Sequence, residues 1–383
     1  MYSYRYHNPT QVVFGPASFD KAAAVVADVG KTALVLTGRN HVHSSGLGER
    51  LTESLEKLGV AVRMAEGIAP NPTITSVIEM ARRVRSDAPD VIVGFGGGSV
   101  MDCARLLSVA LTHSGDLWEY RVRGSLSVAG IRGRTLPVVT IPTAAGTGGE
   151  ISPAALATHQ QLKEVFFSPH LFPYAAVVDP ELALTLDPTL TAQVGIDAFV
   201  QSLEAFVSSA AQPFSDMFAI RSMQLAYTAL LRLHDQPADL AARCDLALAS
   251  MLSCYAIGQS SVGAVHALAD PLSGRHNLGH GVALSVLLPP VMRANLESRR
   301  DRFALIPGLL DPDAVRGARS AEQAVILVEG FLERLGLSAR LSMFGIEAGE
   351  FEVFAEEAQN PDMAGNPRVL SKKEIVAIYE QAA

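Results

Sequence analysis

A small set of carboxylate, amide and imidazole side chains in the second half of the 383-residue chain has the spacing of a metal or hydrogen-bonding site. Asp197 and Gln201 are four residues apart, and His266 and Asp270 repeat that spacing before His280. In a helix, such pairs share one face, one turn apart. Two imidazoles with one or two carboxylates could bind a divalent ion of the zinc or iron kind. From spacing alone, polar groups hydrogen-bonded inside a helical core are the stronger alternative.

A second candidate site is the stretch VIVGFGGGSVMD, from Val91 to Asp102. Its apolar start is typical of a buried strand, and the glycines Gly96 to Gly98 allow a sharp turn and the close approach of a ligand. Ser99 is placed to cap a following helix. Free amide groups and the helix dipole at such a turn favour an anion such as a phosphate. A glycine turn with a purely structural role is the alternative.

The elements that must position these residues change in character near residue 185. Before it, strand-like and helix-like segments alternate, which predicts a Rossmann-like α/β domain over residues 1–185 with a mainly parallel sheet. Loops at 38–39, 96–99 and 143–149 follow strands and would meet at the carboxyl edge of that sheet, where ligands bind. From residue 186 to 383 nearly every segment is helix-like, so a helical domain is expected there.

Composition narrows the class of protein. The chain is 49% hydrophobic and 18% charged, which is typical of an ordered globular protein. Its formal net charge of -8 argues against nucleic acid as a partner. Its 3 cysteines lack metal-binding spacing and fit a reducing compartment. With no signal-like N-terminus and no run long enough to span a membrane, a cytoplasmic location away from membranes is expected.

The chain resembles the iron-containing (group III) alcohol dehydrogenases over nearly its full length. The resemblance implies an N-terminal dinucleotide-binding domain, a helical domain, and an active site in the cleft between them. It also implies hydride transfer between a nicotinamide cofactor and a small alcohol or carbonyl substrate, in a homodimer or larger homo-oligomer. The motifs that carry it, in order, are Gly96–Asp102, Ile141–Glu150, Val178–Leu182, Gly195–Ala198, Pro213–Asp216, Val265–Ala269, His280–Ala283 and Asn366–Arg368.

The resemblance also implies a metal site with one aspartate and three histidines. Asp197, His266 and His280 match three of these positions, but Gln201 stands where the third histidine is expected. A glutamine oxygen is a weaker ligand than imidazole for such metals. A weakly bound metal (Fe or Zn), a replaced metal, and a metal-free reductase of the maleylacetate reductase type therefore all stay open. Asp270 stands where relatives carry a further histidine near the substrate, and its carboxylate could relay a proton.

The cofactor's phosphate is predicted from the end of the second strand. Many NAD-using relatives carry an aspartate where Gly38 stands, and glycine followed by Arg39 would accommodate a 2′-phosphate. NADP(H) is thus favoured over NAD(H), unless Arg39 only faces solvent. The resemblance implies that the cofactor also contacts Gly97, Gly98, Ser99, Asp102, Thr143, Thr147 and Lys163.

Arg275 and His276 lie between the two candidate ligand histidines and would suit an anionic substrate, although a solvated loop pair explains them equally well. With Asp270, His266 and His280, His276 completes the candidate catalytic set. The leading hypothesis is an NAD(P)(H)-dependent oxidoreductase acting on an alcohol, aldehyde or keto substrate. Two alternatives remain: a lyase like dehydroquinate synthase that uses NAD transiently, and a nucleotide-binding protein without activity.

Overall fold

The computed structural model describes residues 4–123, 130–311 and 320–383, which form two compact units. The α/β unit comprises His7–Ala144 and Gly148–Ala183. The helical unit comprises residues 4–6, Ala145–Thr147 and Leu184–Ala383. The predicted fold class, an α/β domain followed by a helical domain, is confirmed.

In the described part of the α/β unit, one sheet of six parallel strands has the order β1-β8-β5-β4-β2-β3. The central strands β4 and β5 are buried along their whole length, as expected for strands that helices cover on both faces. The strands are β1 (Gln11–Phe14), β2 (Thr32–Gly38), β3 (Ala61–Ile68), β4 (Val91–Gly96), β5 (Val138–Pro142), β6 (Ala154–His159), β7 (Leu162–Phe167) and β8 (Ala175–Val178).

Strands β6 and β7 form a separate antiparallel hairpin that the sequence did not predict. Its turn residues Gln160 and Gln161 have φ values of 47° and 72°. Tight hairpin turns with positive φ usually carry glycine, asparagine or aspartate. A pair of glutamines gives no such signal, so the hairpin could not be predicted from its turn residues.

The helices of the α/β unit follow the predicted alternation with strands. Helix α5 starts directly after β4, and its first residues are those of the glycine stretch. The helices in the described part of this unit are α1 (Ala22–Ala27), α2 (His41–Ser44), α3 (Leu47–Lys57), α4 (Ile74–Val84) and α5 (Gly98–Thr112).

The helical unit has one large apolar core, to which α6, α9 and α10 each contribute. Proline at the first helical position and an Asp187 cap on the Leu190 amide start α6. The helices in the described part of this unit are α6 (Pro188–Val207), α7 (Pro213–Asp235), α8 (Leu240–Ser260), α9 (Ala264–His276), α10 (His280–Asn295), α11 (Arg300–Phe303), α12 (Ile306–Leu310), α13 (Ala321–Arg334), α14 (Phe351–Glu357) and α15 (Lys372–Ala382).

Helix α8 is long and apolar enough to cross a membrane, contrary to the expectation that no segment reaches that length. Within the described residues it is the one helix that passes this test. It packs against α6 and α7, and 56% of its most apolar window is buried. The length and composition of α8 also suit a core helix of a globular unit, and α8 packs as such a core helix in this structure.

Candidate cofactor and metal sites

The glycine stretch lies where the topology of the sheet creates a crevice. Strand β2 has β3 on one side and β4 on the other, so the connections leaving β2 and β4 depart in opposite directions. Ligands of parallel sheets bind outside the carboxyl ends of the strands at such a switch point. Gly38 ends β2 and Gly96 ends β4, so the two predicted cofactor loops flank this crevice.

The backbone at this crevice is open to a ligand. Helix α5 begins at Gly98, and Gly97 is its N-cap residue in an extended conformation. A Cβ built at Gly97 has no atom within 4 Å, so nothing in the protein fills the space beside it. The 15-residue helix α5 directs its unpaired N-terminal amides and its dipole toward that space. The arrangement suits an anion such as a pyrophosphate.

Ser99 does not cap α5, which corrects the prediction. The helix starts one residue earlier than Ser99, because Gly97 already supplies the extended cap conformation. The Ser99 hydroxyl instead accepts a hydrogen bond from the backbone amide of Asn71, at 3.2 Å. Ser99 thereby ties the loop before α4 to the glycine turn.

Asp102, Arg105 and Lys163 form a charged group close to the start of α5. The Arg105 side chain is only 1% exposed, and its Nη2 donates to Asp102 Oδ1 at 2.7 Å. Its Nη1 donates to the carbonyl of Gly149. Burial raises the pKa of Asp102, an effect that attraction to Arg105 and Lys163 only partly offsets. The structure thus brings together two of the predicted cofactor residues.

The remaining predicted cofactor residues are placed as follows. The Thr143 amide donates to the Gly96 carbonyl at 3.1 Å, which puts Thr143 beside the glycine turn. Arg39 directly follows β2 and is exposed. Thr147 belongs to the helical unit, where its carbonyl accepts a hydrogen bond from Gln201 at 3.3 Å.

The helical unit brings Asp197, His266 and His280 together from three helices, α6, α9 and α10. The possible ligand atoms of these residues lie within 4.8 Å of one another. His266 Nε2 is 3.1 Å from Asp197 Oδ1, and His280 Nε2 is 3.8 Å from Asp197 Oδ2. Gly281 permits this approach, because a Cβ there would lie 1.6 Å from the Gln193 carbonyl oxygen on α6.

This donor set fits a divalent transition metal. Two imidazole nitrogens and one carboxylate oxygen are ligands suited to zinc or iron(II). Asp197 and His266 are buried, whereas the His280 side chain is 26% exposed, which leaves one side of the cluster accessible. A metal held by three protein groups keeps a position open for a further ligand. The convergence of these three residues agrees with the predicted metal site.

Glu204 is a member of this site that the sequence interpretation missed. Its Oε2 is 2.6 Å from His266 Nδ1, so His266 lies between two buried carboxylates. Burial alone would lower the pKa of His266, but hydrogen bonds and attraction from Asp197 and Glu204 raise it to about 10. With no metal ion bound, the two carboxylates therefore favour the protonated, positively charged ring of His266. The available signal was spacing: Glu204 lies two helical turns after Asp197, on the same face of α6.

Gln201 is held by hydrogen bonds within the helical unit. Its side-chain oxygen accepts from the Ser253 hydroxyl at 2.7 Å, and its amide nitrogen donates to the Thr147 carbonyl. One lone pair of the oxygen is thus already used. The predicted role of Gln201 as a fourth ligand stays a prediction that these contacts weaken.

Asp270 and His276 also have partners outside the cluster of three. Asp270 is buried and accepts a hydrogen bond from Asn360 Nδ2 at 3.3 Å. His276 Nε2 lies 3.0 Å from Glu350 Oε2, and Arg275 forms a double hydrogen bond with Glu357. The two cations expected near the substrate therefore each face a carboxylate.

A glycine turn at the switch point of a parallel sheet suits a nucleotide phosphate, and a buried cluster of one aspartate and two histidines suits a metal ion. Models of two domains match the chain: iron-containing alcohol dehydrogenase over residues 9–180, and the C-terminal domain of the Fe-containing alcohol dehydrogenase family over residues 191–383. The chain belongs to this family and is an oxidoreductase. The resemblance inferred from the motifs is confirmed.

Similar proteins match along the whole length of the chain. The 1,3-propanediol dehydrogenase of Klebsiella pneumoniae is 32% identical over 99% of this chain and 100% of its own. Long-chain-alcohol dehydrogenase 1 of Geobacillus thermodenitrificans is 32% identical over 97% of this chain and 96% of its own. The crystal structure of a 1,3-propanediol oxidoreductase superposes with a TM-score of 0.93, at 30% identity and full coverage of both chains. Family membership implies NAD(H) and a divalent metal.

Proposed function

We propose that this protein is a metal-dependent dehydrogenase that interconverts a small alcohol and its aldehyde or ketone with a nicotinamide cofactor. The convergence of Asp197, His266 and His280 within 4.8 Å is the observation that carries the proposal. Asp197 supplies the single negative charge of the ligand set, and the two imidazoles supply neutral nitrogens. When bound, the metal would act as a Lewis acid that polarises the substrate oxygen.

The residues of the α/β unit bind and orient the cofactor in this proposal. Amides at the start of α5 would hold the pyrophosphate in the open space beside Gly97. Asp270, His276 and solvent are the candidates for proton transfer, and Asp270 and His276 each bind a residue outside the metal cluster. Solvent, reached on the accessible side of His280, is our proposal for the group that exchanges a proton with the substrate oxygen.

NADP(H) remains our proposal for the cofactor, although the charged residues near the crevice include some that favour it and some that oppose it. In its favour, Gly38 carries no carboxylate at the crevice and the exposed Arg39 follows it. Against it, a cavity of about 250 Å³ beside Thr37 is lined by Glu49, Glu53 and Glu66. Carboxylates there would repel a 2′-phosphate, unless Arg39 offsets them. Kinetic comparison of the two cofactors decides the balance.

An uncharged substrate fits the structure better than an anionic one. Glu357 pairs with Arg275 and Glu350 lies 3.0 Å from His276, so carboxylates already occupy the two residues that suggested an anion. The relatives named above are dehydrogenases of a diol and of long-chain alcohols, and both kinds of substrate are uncharged. We therefore propose a primary alcohol or aldehyde, with the chain length left to assay.

The test measures oxidation of NADH and NADPH against a panel of aldehydes, with protein stripped of metal and then loaded with zinc or iron(II). We expect reduction only by loaded protein. Reduction that survives complete stripping would support the metal-free alternative of the maleylacetate reductase type. Cofactor that co-purifies and is not consumed would support the lyase alternative. If neither form reduces any aldehyde, the proposed function is wrong.

A further inference from the structure

The carboxylate of Glu204 makes two short contacts with the first turn of α9, the helix that carries His266. Its Oε2 is 2.6 Å from His266 Nδ1, and its Oε1 accepts the Val265 backbone amide at 2.7 Å. Glu204 is 5% exposed, so water does not compete strongly for either oxygen. One carboxylate therefore engages both the imidazole and the start of its helix.

These contacts determine which ring nitrogen of His266 can bind a metal. A carboxylate oxygen can only accept, so a hydrogen bond to Glu204 requires a proton on Nδ1. In the neutral ring this leaves the lone pair on Nε2, which lies 3.1 Å from Asp197 Oδ1. Nε2 is thus the nitrogen directed at the candidate metal cluster. In metal sites, such an outer carboxylate fixes the orientation of the histidine and raises its basicity.

The amide contact fixes the position of the ring as well as its tautomer. Gly263, the N-cap of α9, has no side chain to accept the first amides of that helix. Glu204 accepts from Val265, and the Asn366 Oδ1 accepts from Ala264 at 3.3 Å. Both groups come from outside α9 and stabilise its start.

We propose that Glu204 is a positioning residue of the metal site, which holds His266 with Nε2 directed at the ion and anchors the first turn of α9. This inference rests on the metal part of the proposed function and not on the identity of the substrate. Because α6 carries both Asp197 and Glu204, one helix supplies a ligand and orients a second ligand from another helix.

Glu204→Gln separates this role from simple capping. A glutamine has one acceptor and one donor end, so it cannot accept from both His266 Nδ1 and the Val265 amide. If its oxygen binds Val265, its amide group faces Nδ1 and favours the proton on Nε2, which blocks the metal. Asn366→Ala is the matched control, since Asn366 accepts from the neighbouring amide of α9 and its other hydrogen bonds join Asn295 and the Arg368 carbonyl, not the imidazole.

The experiment measures zinc(II) and cobalt(II) affinity by competition with a chelator, the visible spectrum of the cobalt(II) form, and the melting temperature of metal-free protein. For Glu204→Gln we expect a loss of about 10- to 100-fold in metal affinity and a changed cobalt spectrum. For Asn366→Ala we expect a lower melting temperature with near wild-type affinity and spectrum. NADH affinity should be unchanged in both variants.

Equal losses of metal affinity in both variants would overturn the proposal, because they would make Glu204 only a helix cap. Unchanged affinity and an unchanged cobalt spectrum in Glu204→Gln would overturn it as well. If Glu204→Gln does not fold, Glu204→Asp takes its place: its shorter carboxylate keeps the charge but cannot reach both partners. These readouts need no substrate, so their failure leaves the turnover test of the proposed function intact.

Discussion

The cofactor residues of the α/β unit and the metal residues of the helical unit are built in opposite ways. Around Gly97 the candidate binding groups are backbone amides that border an open space. They belong to one strand, one turn and one helix that follow one another directly in sequence. Around His266 they are side chains from three helices, separated by up to 83 positions between Asp197 and His280. A backbone site is sensitive to added bulk, whereas a side-chain site is sensitive to lost or exchanged ligands.

The largest expected effect is the loss of a ligand in the helical unit. His280→Ala should lower metal affinity about 1,000-fold, near 4 kcal/mol, so that dialysed protein retains no metal. The melting temperature of the metal-free protein should change little, since the side chain is 26% exposed. Metal analysis after dialysis checks this, with NADH binding as the control. Retention of a full equivalent of metal would show that His280 is not a ligand.

Added bulk in the α/β unit should have the next largest effect. Gly97→Val should fold, because a Cβ at Gly97 meets no atom within 4 Å, yet it should weaken cofactor binding about 100-fold, or 2.7 kcal/mol. Fluorescence titration with NADH and NADPH measures this, and metal content should not change.

Gly96→Ala is the contrasting variant: its Cβ would lie 2.7 Å from Val100 Cγ2, so the free energy of unfolding should fall instead. Normal cofactor affinity in Gly97→Val would exclude this turn as the pyrophosphate site.

A charge at the crevice should have a smaller effect, on the choice of cofactor. Gly38→Asp places a carboxylate at the end of β2, where the nearest atom to its Cβ is Val100 Cγ2 at 4.0 Å. We expect the ratio of kcat/KM for NADH over NADPH to rise about tenfold, or 1.4 kcal/mol. The aldehyde assay with both cofactors provides the measurement. An unchanged ratio would mean that the adenosine ribose does not lie beside residue 38.

The smallest expected effect comes from replacing Gln201 by histidine, the residue type that the family resemblance implies at this position. Gln201→His should raise metal affinity by about tenfold at most, because imidazole is the better ligand but loss of the Ser253 and Thr147 hydrogen bonds costs about 1 kcal/mol each. The metal affinity of Gln201→Ala, measured by the same competition with a chelator, tests whether Gln201 itself binds the metal. Wild-type affinity in Gln201→Ala would show that Gln201 is not a ligand; a large loss would show that it is one.

Much of the α/β unit could be predicted, because its signals are local. Buried strands such as β4 and β5 read as continuous apolar runs, and the glycine turn follows directly in sequence. The misses are also local: the helix cap is Gly97 and not Ser99, and the β6–β7 hairpin turns at two glutamines. In both cases the backbone conformation could not be predicted from the types of the residues at these positions.

Less of the metal environment could be predicted. Spacing singled out His266 and Asp270 as a pair, but the two side chains have different partners: Asp197 and Glu204 for His266, and Asn360 for Asp270. Helical spacing states which residues share a face and leaves open what that face meets. These partners lie 62 to 90 residues away along the chain.

The sequence by itself determined the family, the α/β and helical organisation, the glycine turn and the identity of the candidate ligands. These follow from residue type, local order and motif spacing. Only the tertiary structure decided that Glu204 binds His266, that Gln201 is held by Ser253, and that Arg275 and His276 face carboxylates. The reason is physical: a charge or a lone pair acquires its role from the group packed against it, and packing between helices joins residues that are distant in sequence.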